Sequence, residues 1–366
     1  MRRVLIIVGI LGVGLAGFFL YAQPRIFDTS VLGVASASEL DRPLEETLDG
    51  QARFAAELLA SPGFHNREIY ERYLDEIGAN GIEAGLAQVY DRCHDEAHDF
   101  GKVLFARTQS VETALAACDN VCTAGCMHGV MMEFLAPEDA VVTPDDHVSL
   151  NDLESKLHQL CTPEQLTDEY KLGDCVHGIG HAVMFLSEYD IPTALDACAL
   201  MDTDALEYYC ATGAYMEFLT NGPAVDPADD LFGPCDDQPF PSACFRYRIA
   251  NIMKPYYESG GTFDALIDAC LALEGTAQSG CFHGIGNGHL QFVVGGQISL
   301  AQLCSAGDRA DQYTCTEGLM ERLSRYYPEQ IEVQCATVED WQNALCLTSA
   351  DHEMYDLEKS FLYYGR

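Results

Sequence analysis

The chain has 366 residues, 57 of them Asp or Glu against 20 Lys or Arg, for a formal charge of -37. With 48% hydrophobic and 21% charged residues it can bury a core, which excludes a disordered acidic tail. A like-charge field of that size repels phosphate backbones, so nucleic acid is excluded as a partner and cations or basic surfaces are favoured.

In chain order the first element is apolar. After Met1, Arg2 and Arg3, residues Val4 to Ala22 give nineteen positions without a charge, long enough to span a bilayer core as a helix. The two arginines favour a cytoplasmic amino end, which places the rest of the chain outside. The competing reading is a cleaved signal peptide with Ala35-Ser36-Ala37 as the cleavage site. Both readings export the chain, to the periplasm or the cell surface. Residues 1–22 are thus an expected transmembrane anchor, 23–50 a linker, and 51–366 the ectodomain.

Export changes how the sixteen cysteines read. An even number at regular spacings in an oxidising compartment points to a disulfide framework rather than to thiolate metal ligands. Neither C-x-x-C-H nor C-x-x-C occurs, which excludes covalent c-type haem and a dithiol redox pair. Seven pairs recur along the chain: Cys118/Cys126, Cys161/Cys175, Cys198/Cys210, Cys235/Cys244, Cys270/Cys281, Cys304/Cys315 and Cys335/Cys346. Their second members follow one another at 49, 35, 34, 37, 34 and 31 residues, the long first step carrying the acidic insertion Ala136 to Leu150, which reads as a loop. Cys93 lies 33 residues before Cys126, as the second-type cysteine of an incomplete leading unit, and only Cys122 remains to partner it.

Each pair sits in a repeated context. A short helical pattern ends at the first cysteine, as in Ile191-Pro-Thr-Ala-Leu-Asp-Ala-Cys198, with Thr, Ser or Pro marking its start. A second apolar run follows the second cysteine, as in Asp174-Cys-Val-His-Gly-Ile-Gly-His181. Each unit therefore reads as helix, turn, helix, stapled by one disulfide. Such a hairpin cannot bury its apolar face alone, so units must stack. Glycines in the second helices (Gly129, Gly178, Gly180, Gly213, Gly284 and Gly286) mark close helix-to-helix contact. From Tyr70 to about Cys346, period and cysteine placement resemble tetratricopeptide-like repeats, especially secreted cysteine-rich proteins whose helical hairpins each carry one disulfide. That resemblance implies an all-α, disulfide-stapled helical-hairpin solenoid (an α/α superhelix) and leaves function open.

Seven of the eleven histidines fall at or near second-helix cysteines. His128, His177 and His283 stand two residues after one, in the form C-x-H-G, and His181 follows His177 by one helical turn. The leading unit carries the same device shifted by one residue, as Cys93-His94-Asp95-Glu96-Ala97-His98. Two i,i+4 imidazole pairs on separate helices, with a fifth aligned beside them, are what a metal site in a helical scaffold needs; imidazole suits Zn, Cu or Fe. His94, His98, His128, His177 and His181 are therefore the expected ligands, with His283 and His289 as a second candidate site. Glu96, Glu133 and Glu217 are candidates to orient an imidazole from behind. Thr212 and Glu317 replace histidine in two later units. Two other readings stand beside metal binding: a scaffold holding a protein or peptide on a concave face with structural histidines, and a non-covalent haem protein.

Overall fold

The computed structural model describes residues 50–61, 66–90, 93–119, 121–122, 124–135, 150–162, 165–166 and 172–350. The apolar stretch Val4–Ala22, most of the linker and most of the insertion Ala136–Leu150 lie outside them. No helix among the described residues is long and apolar enough to cross a membrane. They contain helices and no strand.

Long helices form the spine: α2 (Arg67–Val89), α3 (His94–Thr108), α5 (Gly125–Leu135), α7 (Leu172–Leu186), α9 (Asp204–Asn221), α10 (Pro241–Glu258), α12 (Gly275–Gly288), α15 (Arg309–Tyr326) and α17 (Asp340–Ala350). From α2 onward each packs against the next, and α1 (Gly50–Ala60) closes the end beside α2. Short helices come between them in the chain: α4 (Val111–Leu115), α6 (Leu150–Leu157), α8 (Ile191–Cys198), α11 (Phe263–Leu271), α13 (Leu290–Val294), α14 (Leu300–Leu303) and α16 (Ile331–Cys335). Their starts follow from local chemistry. Ser110, Asp190, Thr203, Thr262, Ser299 and Asp308 each accept a hydrogen bond from a first-turn N–H, satisfying donors that the helix leaves orphaned.

Eight cysteine pairs lie at disulfide distance, with Cα–Cα separations of 5.2–5.7 Å: Cys93–Cys122, Cys118–Cys126, Cys161–Cys175, Cys198–Cys210, Cys235–Cys244, Cys270–Cys281, Cys304–Cys315 and Cys335–Cys346. Cysteine pairing and helix order together make this a cysteine-rich helical-repeat architecture.

One unit departs from the helix-turn-helix expectation. Residues 222–240, ahead of Cys244, form turns and no helix. Pro223, Pro227, Pro234 and Pro239 remove backbone donors and break helical geometry there. Arg248 on α10 replaces the missing ladder: Nε donates to the Leu231 carbonyl at 3.0 Å, and the terminal nitrogens donate to those of Val225 at 3.0 Å and Asp230 at 2.6 Å.

Three helix pairs cross through reciprocal glycines. A Cβ on Gly180 of α7 would overlap the Cys210 carbonyl of α9, and one on Gly213 of α9 would overlap the His177 carbonyl of α7. Gly101 and Gly129 meet the Cys126 and His98 carbonyls in the same way across α3 and α5, as Gly286 and Gly318 meet those of Cys315 and His283 across α12 and α15. The backbones touch at a histidine each time, so His98, His177 and His283 share one register. Spacing along the chain instead pairs His94 with His177, each followed by a histidine one turn on. The crossing shifts the leading unit by a turn and sets Lys102 level with His181.

Two outcomes test this packing. Peptide mapping without reduction is expected to recover Cys198 linked to Cys210, and replacing both by Ala should lower stability by about 2–4 kcal/mol. Gly213→Ala, whose methyl has backbone rather than a flexible side chain in its way, should cost about 3 kcal/mol in denaturant unfolding. A neutral Gly213→Ala would mean that the helices do not cross there.

Candidate metal centre

Three successive helices, α3, α5 and α7, deliver the histidines. His94 and His98 stand one turn apart on α3, His128 comes from α5, and His177 and His181 stand one turn apart on α7. The glycine crossing brings α3 close to α5, and Gly178 on α7 lies against the His128 ring and the Met131 sulfur, leaving room for both. The five imidazoles form one cluster, with ring centroids of contacting pairs 4.6–6.1 Å apart. None is more than 8% exposed.

Donor atoms of His94, His98, His128 and His181 all fall within 4.8 Å of one another. Four buried histidines at such spacing can hold a metal ion. Among the described residues this is the one group of three or more His, Cys, Asp or Glu gathered in that way. His177 stands outside the four but touches them, its Nε2 lying 3.2 Å from Nε2 of His181.

The partners behind the rings decide where the protons sit. Nδ1 of His181 lies 2.9 Å from Oε2 of Glu217, an acceptor, so Nδ1 carries the proton. Nδ1 of His177 lies 2.8 Å from the Thr212 hydroxyl, which spends its only hydrogen on the Tyr209 carbonyl at 2.5 Å and so accepts from His177. Nδ1 of His94 donates to the Cys122 carbonyl at 3.3 Å. Burial keeps His177 neutral, so its inward Nε2 is unprotonated. It meets Nε2 of His181 at 3.2 Å, and Nε2 of His94 meets Nε2 of His98 at 3.1 Å. The His94–His98 separation is close to the edge of about 3.3 Å of a tetrahedron whose metal–nitrogen bonds are about 2.0–2.1 Å. Both ring nitrogens of His128 are buried without a well-formed hydrogen bond among the described residues, the Asp174 backbone making a weak contact with the ring.

Burial holds the imidazoles of His98, His128 and His177 well below the ordinary histidine range, and neighbouring imidazoles add to it. Glu217 is pushed up by burial, but hydrogen bonds from His181, Asn221 and Tyr189 and the charge of His181 outweigh this and hold it below the usual carboxylate value. The inner space is thus lined by imidazole nitrogens, those of His98, His128 and His177 neutral, with the Glu217 carboxylate behind His181.

The other candidate residues go elsewhere. Glu96 faces α2, near Tyr70 and Tyr90, and burial raises its carboxyl to about 7. Glu133 holds on α5 the register of Glu217 on α9, but it lines a cavity with Arg67, Val103 and Arg107. Glu217 is the one of the three seen to hydrogen-bond a cluster imidazole, His181, among the described contacts. His283 and His289 are not brought together. Nε2 of His283 lies 2.8 Å from Glu321, which Arg246 grips at 2.6 and 2.8 Å. His289 uses both nitrogens, donating from Nδ1 to the Ile285 carbonyl at 2.8 Å and accepting at Nε2 from Tyr257 at 2.7 Å. Thr212, Tyr189 and Asn221 were not foreseen. Thr212 had a signal, since it occupies the C-x-H position one unit after His177; Tyr189 and Asn221 had none.

Buried neutral histidines link stability to pH. Burial depresses the folded-state values, to about 4 for His283 and His289, while the unfolded chain titrates near about 6.5. The unfolded state therefore binds protons first. Stability should be complete above about pH 6.5 and fall on acidification toward about pH 4, by up to about 1.4 kcal/mol per pH unit for each such ring. Denaturant midpoints of metal-free protein between about pH 7 and 5 measure this; a flat profile would mean that the rings are hydrated or already charged.

No protein-family model matches the chain, and no curated protein or solved structure matches it.

Proposed function

We propose that this chain is an exported, membrane-anchored solenoid that binds a single transition-metal ion through His94, His98, His128 and His181, with His177 held beside the ion. The observation that carries this reading is the convergence of ring nitrogens from four buried histidines within 4.8 Å of one another. Burial disfavours a proton on His98 and His128, which keeps their rings available as neutral donors. A metal would also engage one of the buried ring nitrogens of His128.

The donor set narrows the ion. No free cysteine is present among the described residues, and the four donors are imidazole nitrogens. Such a set suits Zn, Cu or Fe and fits poorly with Ca or Mg, which require oxygen ligands. Imidazole rings packed at 4.6–6.1 Å leave no slot for a porphyrin, which weighs against the haem reading. Exposure of 8% or less favours sequestration or delivery of the ion over catalysis on a large substrate. Eight disulfides support an oxidising, extracytoplasmic location, and the succession of neighbouring long helices supports the solenoid.

Metal analysis of protein purified with its disulfides intact is expected to give one ion per chain. His128→Ala and His181→Ala should each abolish stoichiometric binding. Acidification below about pH 6 should release the ion, because only the neutral imidazole is a ligand. Full retention of metal by both variants would leave the histidines as structural groups of a scaffold.

A further inference from the structure

We propose that Tyr189 is a positioning residue of the histidine cluster, its phenol holding Glu217 in the orientation that fixes His181. This rests on the metal-binding reading and names a component of it that lies outside the ring of ligands.

The turn after α7 is strained. Glu188 and Tyr189 adopt φ of 50° and 64°, two consecutive residues in the left-handed region and neither a glycine. That conformation costs an L-residue free energy, and a turn with no task beyond connection takes glycine or asparagine there. The turn is closed by Tyr189 N–H to the Met184 carbonyl at 3.1 Å and Asp190 N–H to that of Ser187 at 2.9 Å. Its effect is to send the Tyr189 ring back over the α7–α9 pair. The ring packs edge-on against Phe185 with centroids 6.5 Å apart, and lies over Gly222, where a Cβ would come within 3.2 Å of it. The hydroxyl then donates to Oε1 of Glu217 at 3.3 Å.

Glu217 is thereby held from both sides. Asn221 Nδ2 donates to the same Oε1 at 3.0 Å, which leaves Oε2 to accept from His181 Nδ1 at 2.9 Å. A carboxylate gripped at one oxygen cannot swing the other away, so the tautomer and ring plane of His181 follow from Tyr189 and Asn221. Burial, followed by the charge of Glu217, pushes the Tyr189 hydroxyl up to about 12, so it remains a donor at any physiological pH. Residues behind a metal-ligating histidine set ligand basicity and geometry, and their loss weakens metal binding without removing a ligand.

The test uses the full-length chain with disulfides intact and Co(II) as the probe, read by its visible ligand-field absorption. Tyr189→Phe keeps the ring and deletes only the hydroxyl. It should bind Co(II) about 10-fold more weakly, with a shifted absorption band and an unchanged melting midpoint of the metal-free protein. Because the hydroxyl acts through Glu217, the double variant Tyr189→Phe/Glu217→Gln should bind no more weakly than Glu217→Gln alone. Affinity within twofold of wild type and an unmoved band in Tyr189→Phe would overturn the proposal, as would additive losses in the double variant. Should the wild-type chain itself take up no Co(II), the metal-binding reading fails first and this role falls with it.

Discussion

The close crossing of α7 and α9 through Gly180 and Gly213 governs much of this molecule. At that point two helix backbones touch through a glycine from each side, and any side chain there would meet a carbonyl. Because the carbonyl met by Gly213 belongs to His177, the contact fixes the height and rotation of the helix that carries both His177 and His181. It also sets Thr212 and Glu217 of α9 opposite those two rings, at 2.8 and 2.9 Å. The same crossing recurs between α3 and α5, where the His98 carbonyl receives Gly129. Glycine inside a helix lowers intrinsic helical stability. The disulfides flanking each crossing offset that cost by restricting the unfolded chain.

The centre so assembled gathers five buried imidazoles. The outer nitrogens of His94, His177 and His181 are committed to a carbonyl, a hydroxyl and a carboxylate. Behind His181 stands Glu217, itself held by Tyr189 and Asn221. The geometry of the cluster, the helix register and the strained turn at Glu188 and Tyr189 are consequently linked.

The later units show what the same positions do without that cluster. Arg246 stands two residues after Cys244, as His128 stands two after Cys126, and His283 shares the crossing register of His177. There the guanidinium supplies a permanent positive charge, and Glu321 joins it to His283. Burial raises the carboxyl of Glu321, but the Arg246 charge and the hydrogen bond with His283 outweigh it and hold the group far below the ordinary range. Arg322, in the register of Glu217, donates to Asn287 at 3.1 Å. The scaffold thus carries an ion-pair network where its first units gather imidazoles.

Helix class, the period of the units and the grouping of cysteines were all legible from one dimension, because each arises from spacing along the chain: apolar residues at helical intervals, capping residues ahead of them, and cysteines close enough to be joined across a turn. His94, His98, His128 and His181 could be nominated in the same way, since stacked repeats superimpose equivalent positions. What spacing cannot carry is rotation about a helix axis. Whether Glu96, Glu133 or Glu217 faces an imidazole depends on side-chain direction at helix crossings. So do the separation of His283 from His289, the one-turn shift of the leading unit, and the reach of Tyr189 to Glu217. Contacts between helices settle those directions, because a glycine touching a carbonyl permits only one register.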